Sequence, residues 1–185
     1  MKEPALALIE YKSVARGIMS CDAMAKKAPV RILETHPVCP GKYITIVCGE
    51  VADVEESLTA GRESGGDLVV ADLFLPYVHH DVIPALAGTT EIEHFGSLGV
   101  VETFSVAVCL QAADIAAKKA DVKLVEIRLA NGLGGKGYFV FTGELTDVEA
   151  ALAAAVSFAR SEGQLTEQAI IPSPHPDLLE KGVYW

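Results

Sequence analysis

The chain has 185 residues, half of them hydrophobic, with 25 acidic against 15 basic side chains and a formal net charge of −10. That balance excludes nucleic acid as a main partner, and a 22% charged content beside so much apolar residue excludes intrinsic disorder. No apolar run approaches the ~18–20 residues of a membrane span, and MKEPALALIEYK meets acids at Glu3 and Glu10 with no basic leader, so no membrane partner and a cytoplasmic location are expected.

In chain order, LALIEY reads as a short apolar strand, and Ser13 then caps a helix in which Val14, Ile18 and Cys21 recur at helical spacing. VRILETHPV alternates as a strand, Cys39-Pro40-Gly41-Lys42 is a turn, and YITIVCGE returns as its hairpin partner. VADVEESLTAGRES is a second helix closed by Gly65-Gly66, DLVVADLFL a further strand, and HHDVIPAL a short helix. Strand, helix, strand, strand, helix, strand is the order of an α+β, ferredoxin-like unit with helices covering an antiparallel sheet.

The whole pattern then recurs. LALIEYKSVARGIMSCDAMAKKAPVRILE lies over LGVVETFSVAVCLQAADIAAKKADVKLVE, matching Glu10 to Glu102, Ser13 to Ser105, Asp22 to Asp114, the Lys-Lys-Ala triplets at 26 and 118, and Glu34 to Glu126. After a two-residue insertion, GKYITIVCGEVADVEESL matches GKGYFVFTGELTDVEAAL, and Pro76, His79 and Asp81 match Pro172, His175 and Asp177. Two domains follow, 1–92 and 93–185, in unpermuted order. The mean hydropathy of +0.32, high for so acidic a chain, implies apolar surface buried beyond the monomer.

The four cysteines, Cys21, Cys39, Cys48 and Cys109, show no CxxC spacing, which excludes a zinc ribbon or a secreted disulfide scaffold. Cys21 and Cys109 on helices and Cys48 in a strand read as buried apolar thiols; Cys39 stands in a turn. NGLGGKG is not a phosphate loop: Ala130 occupies the first glycine position and Gly137 follows Lys136 where Ser or Thr is needed. Glu10 and Glu102 are duplicated carboxylates with no His or Cys nearby in sequence, and no catalytic motif is present, so no enzyme is expected.

AxDxxxKxA in the first helix of each copy, the Gly-Lys turn between strands and the closing Pro-x-x-His resemble the bacterial microcompartment (BMC) shell domain. Two copies in one chain resemble its tandem-domain trimeric class, and CPGKY with NGLGGKGYF is similar to the propanediol-utilisation-type members. The resemblance implies a homotrimeric, pseudohexameric shell tile that associates with other BMC shell proteins. It implies a central opening lined by Val38, Cys39, Pro40 and Gly41 from one copy and Gly132, Leu133 and Gly134 from the other. It also implies an iron–sulfur cluster (4Fe–4S) on the threefold axis, ligated by Cys39 of three chains, for electron transfer across the shell. One cysteine per chain fits a cluster of about four ligands only if symmetry triples it.

The resemblance further places Lys26, Lys118, His79 and His175 at the tile edge. Read alone, Asp22/Lys26 and Asp114/Lys118 are i,i+4 helix pairs, and His79-His80, with no third ligand expected nearby, reads as helix capping or packing. The sequence departs from the family's Pro-Arg-Pro-His, with Tyr77 and Ser173 at the arginine position. Two other readings stand beside the shell protein: a soluble trimeric α+β ligand-binding or regulatory module with sites at subunit clefts, and a redox carrier outside any shell.

Overall fold

The computed structural model describes residues 5–181. Its elements run β1 (Ala5–Tyr11), α1 (Val14–Lys27), β2 (Arg31–Val38), β3 (Lys42–Gly49), α2 (Val51–Gly65), β4 (Val69–Leu75) and α3 (Val82–Ala87). They repeat as β5 (Ser97–Thr103), α4 (Val106–Lys119), β6 (Val122–Leu129), β7 (Gly137–Gly143), α5 (Leu145–Ser161), β8 (Leu165–Ile171) and α6 (Pro176–Lys181). Each copy forms a four-stranded antiparallel sheet, in the orders β2-β3-β1-β4 and β6-β7-β5-β8, with two long helices on one face. This is the α+β unit expected from the sequence, built twice.

The duplication reaches fine detail. Ser13 accepts the Arg16 N–H and Ser105 the Val108 N–H, so each first helix starts on the same cap. Each ends on paired lysines, Lys26-Lys27 and Lys118-Lys119, which suit the negative end of the helix dipole. The ladders shift register at Glu10/Tyr11 and Ile32/Glu34 in one sheet and at Glu102/Thr103 and Leu124/Glu126 in the other, so the bulges coincide.

In the first sheet the alternate residues Ala5, Ala7, Ile9 and Tyr11 face the helices and pack with Met24, Val54 and Leu58. The fully buried Tyr11 hydroxyl lies 2.6 Å from Ser20 Oγ, which donates to the Gly61 carbonyl at 2.8 Å. That polar chain ties β1, α1 and α2 together inside an otherwise apolar layer. Among the described residues, no helix is long and apolar enough to cross a membrane.

The chain divides into two compact units between Val78 and His79. Residues 79–92, assigned by the repeat pattern to the first domain, therefore lie with the second. The cause is α3: Val82 and Ala85 are fully buried, and the helix packs against β6 and α4. It starts at Val82, later than the HHDVIPAL reading, because His79 Nδ1 accepts the Asp81 N–H and holds the preceding residues in a turn.

Candidate functional site

The β2–β3 hairpin closes with Val38 opposite Lys42, leaving Cys39, Pro40 and Gly41 as a three-residue loop. Gly41 has φ +77°, a left-handed conformation that suits glycine, and a Cβ there would meet nothing within 4 Å. Pro40 and Gly41 are exposed, Cys39 is half-buried and Val38 is buried, so the thiol stands at the hairpin tip. Cys21, Cys48 and Cys109 are buried. Burial pushes the Cys109 thiol up to about 12, against a smaller downward pull from a hydrogen bond with Thr103.

This contrast gives a direct prediction. Iodoacetamide applied to the metal-free native protein is expected to modify Cys39 first, and the other three only after unfolding. Peptide mass mapping reads the order, and early labelling of Cys109 would contradict the burial.

The equivalent loop between β6 and β7 is longer and has no sulfur. Ala130 (φ +57°), Gly132, Gly134 and Gly135 all have positive φ, and the Ala130 N–H donates to the Lys136 carbonyl at 2.9 Å to close the loop. Asn131, Gly132 and Gly134 are exposed, with Leu133 half-buried between them. A cleft of about 350 Å³ lined by Arg128, Asn131, Gly132, Leu133 and Tyr138 lies beside it. Behind it, Glu126 is nearly fully buried, accepting from Arg128 Nε at 2.7 Å and from the Tyr138 hydroxyl at 3.1 Å. The Tyr138 hydroxyl is pushed up to about 12, by burial first and by the Glu126 charge second.

Among the described residues, one group of three or more metal-ligand side chains lies within 4.8 Å: His79, His80 and Asp81. The histidine pair, expected to have no third ligand nearby, has Asp81 beside it. Its carboxylate is already held by Lys123 Nζ at 2.6 Å, with His80 Nε2 at 3.5 Å, and His79 Nδ1 caps the turn. Cys39 belongs to no such group, so any metal at the hairpin tip needs ligands from elsewhere.

The duplicated helix pairs differ in setting. Asp22 and Lys26 meet at 2.6 Å in the open, whereas Asp114, buried, holds Lys118 at 2.7 Å through Oδ2 and accepts the His79 backbone N–H at 2.8 Å through Oδ1. His175 repeats the cap, its Nδ1 accepting the Asp177 N–H at 3.2 Å, but stands exposed. The sequence aligns Asp81 with Asp177 behind the closing histidines, but nothing in it links Asp81 to Lys123, 42 positions away.

Comparison with known proteins fits this geometry. The BMC domain model matches residues 5–78 and 97–174. The chain is 38% identical over 179 residues to the bacterial microcompartment shell protein PduT of Citrobacter freundii, covering 97% of each. It is 34% identical over 91 residues to the shell protein PduA of the same organism, covering 47% of this chain and 95% of PduA. A crystal structure of a microcompartment protein from Desulfitobacterium hafniense DCB superposes with a TM-score of 0.92 at 45% identity, covering 96% of this chain and 98% of that one. With the match falling on both units, and with PduT and the Desulfitobacterium protein aligning along nearly the full length, the chain belongs to the BMC-domain family and carries that domain twice.

Proposed function

We propose that this chain is a structural subunit of a bacterial microcompartment shell in the cytoplasm. Three copies close into a tile of six BMC domains and sit beside other shell proteins. Both units are BMC domains, and a relative matched along 97% of its length is a shell protein. In such a ring every residue near the axis occurs three times. The turn of Val38, Cys39, Pro40 and Gly41 would alternate around the opening with the loop carrying Gly132, Leu133 and Gly134. Lys26 and Lys118 would lie toward the outer edge.

The finer reading concerns the opening, and one observation carries it: of four cysteines, only Cys39 reaches the surface, on a loop whose duplicate has no thiol. A ring of three chains thus gathers three thiolates, and an iron–sulfur cluster needs about four ligands. Three Cys39 side chains would hold a 4Fe–4S cluster, with water or a small molecule as the remaining ligand. Bound there, such a cluster would supply one-electron transfer across the shell. The chain's own part is to fix the thiol: the hairpin holds the turn, and Pro40 with Gly41 sets its path.

The test is anaerobic purification of the wild type and Cys39→Ser, with iron content, visible absorbance, electron paramagnetic resonance, and electron microscopy of assemblies at high concentration. The expected result is ordered sheets or tubes from both proteins, and iron with a cluster signal in the wild type alone. Iron retained by Cys39→Ser would move the ligand elsewhere. A discrete oligomer that forms no array, alone or with other shell proteins, would favour the soluble regulatory module.

A further inference from the structure

His79, His80 and Asp81 lie in the stretch 79–96, which neither BMC match covers. The fold nevertheless fixes their backbone at both ends. The His79 N–H donates to Oδ1 of Asp114, a buried residue of α4, at 2.8 Å. On the other side Asp81 is 2% exposed, and Val82 and Ala85 behind it are fully buried. Three chemistry-bearing side chains thus stand on an anchored segment, the support that a ligand site needs.

One ligand atom from each side chain lies within 4.8 Å of the other two. His80 Nε2 stands 3.5 Å from Asp81 Oδ1. Two ligand atoms at ordinary bond lengths around a tetrahedral zinc ion stand about 3.3 Å apart, so this pair is already spaced for one ion. His79 Nδ1 accepts the Asp81 N–H at 3.3 Å, so this nitrogen carries no proton, and the bond exchanged for a metal is a long one. The two imidazole rings lie 4.2 Å apart at their centroids. The His80 side chain is 69% exposed and can turn toward an ion without disturbing the core.

A cation already sits on the carboxylate. Lys123 Nζ is 2.6 Å from Asp81 Oδ1, the same oxygen that faces His80. A carboxylate so buried requires a positive partner, and the ammonium supplies it in the metal-free chain. The Lys123 side chain is 44% exposed, so it can swing into water when another cation takes its place. The closing segment of the second copy gives an internal contrast. His175 Nδ1 accepts the Asp177 N–H in the same way, but Pro176 stands where His80 does, and the Asp177 side chain is 81% exposed. That segment has neither the second imidazole nor the buried carboxylate.

We infer that His79, His80 and Asp81 form a site for a divalent transition ion of the zinc class, with Lys123 as the resident cation that the metal displaces. Two imidazoles and one carboxylate favour such an ion over calcium or magnesium, which take oxygen ligands. Three protein ligands leave one position for water. Asp81 keeps a positive partner throughout, and the exchange releases the Lys123 ammonium to solvent. The site belongs to a single chain and shares no residue with the Cys39 turn, so it goes beyond the tile proposed above and is tested apart from it.

Zinc titration against a chromophoric chelator and the visible d–d absorption of bound cobalt(II) test the site. The background is the full-length, metal-free Cys39→Ser protein, which lacks the exposed thiol. One ion per chain is expected there and after adding His175→Ala. Adding His80→Ala, at an exposed position where circular dichroism should be unchanged, is expected to weaken zinc binding roughly 10-fold or more and to remove the cobalt band. Adding Lys123→Gln removes the competing ammonium and is expected to tighten zinc binding about 3- to 10-fold. Its melting temperature, lowered without metal by the unpaired Asp81, should recover when zinc is added. Zinc bound equally well with and without His80, or no zinc bound at all, would overturn the site. A Lys123→Gln protein that binds zinc no more tightly would overturn the exchange with lysine.

Discussion

Gly99→Val is expected to destabilise the second unit by about 3 kcal/mol or more, beyond the usual range for overpacking. Gly99 lies in β5 opposite Phe141, and a Cβ on it would fall 2.2 Å from Phe141 Cζ. The first unit fills the equivalent space differently, with Ala7 opposite Val47. There a methionine, Met24, reaches in from α1, and Gly61 of α2 makes room: a Cβ on Gly61 would lie 2.7 Å from Met24 Sδ. The second unit has Ala116 and Ala155 at those two helix positions, both fully buried.

The quartets Ala7, Met24, Val47, Gly61 and Gly99, Ala116, Phe141, Ala155 are therefore two solutions of nearly one volume. Moving the whole first set into the second unit (Gly99→Ala, Ala116→Met, Phe141→Val, Ala155→Gly) should cost only about 1–2 kcal/mol, since volume-conserving exchanges are tolerated best. Urea unfolding of the two proteins decides the matter. A quartet no better than the single valine would show that the two layers are not interchangeable.

Lys42→Met and Lys136→Met should differ sharply although they remove duplicate ion pairs. Lys42 holds Glu10 at 3.0 Å, and the Glu10 side chain is 4% exposed; Lys136 holds Glu102 at 2.9 Å, with both partners more than one-third exposed. Removing Lys42 leaves a carboxylate buried and uncompensated, a loss of about 3 kcal/mol. Removing Lys136 leaves Glu102 to water, and the change should stay within about 1 kcal/mol. Melting temperatures of the two variants, read in one buffer, give the comparison; equal losses would mean that Glu102 is as dry as Glu10.

Much of the fold was legible because it is local. Ser13 and Ser105 announce helix starts, alternation marks β2 and β6, and the 10-to-102 spacing of the glutamates exposes the duplication. The positions of the cysteines, three in regular elements and one in a turn, were enough to separate Cys39 from the rest. What stayed hidden depends on residues far apart in sequence. Asp22 and Asp114 sit in the same helical pattern, yet only Asp114 meets a histidine backbone 35 positions away. The boundary at Val78 depends on that contact and on Asp81 with Lys123, and a repeat pattern alone assigns the intervening residues to the preceding copy. The exchanged volumes at Gly99 and Gly61 were equally invisible, since each makes sense only with the side chain opposite it.

The docked His79 segment is covalently continuous with what precedes it, so its contact with Asp114 and Lys123 is first-order and indifferent to dilution. Contacts between copies in the proposed tile would instead obey mass action. The His79 contact would then persist at any concentration, while contacts between copies would set the concentration at which rings form. Cellular abundance of the chain, rather than any change in its fold, would govern when the thiols of separate molecules first meet.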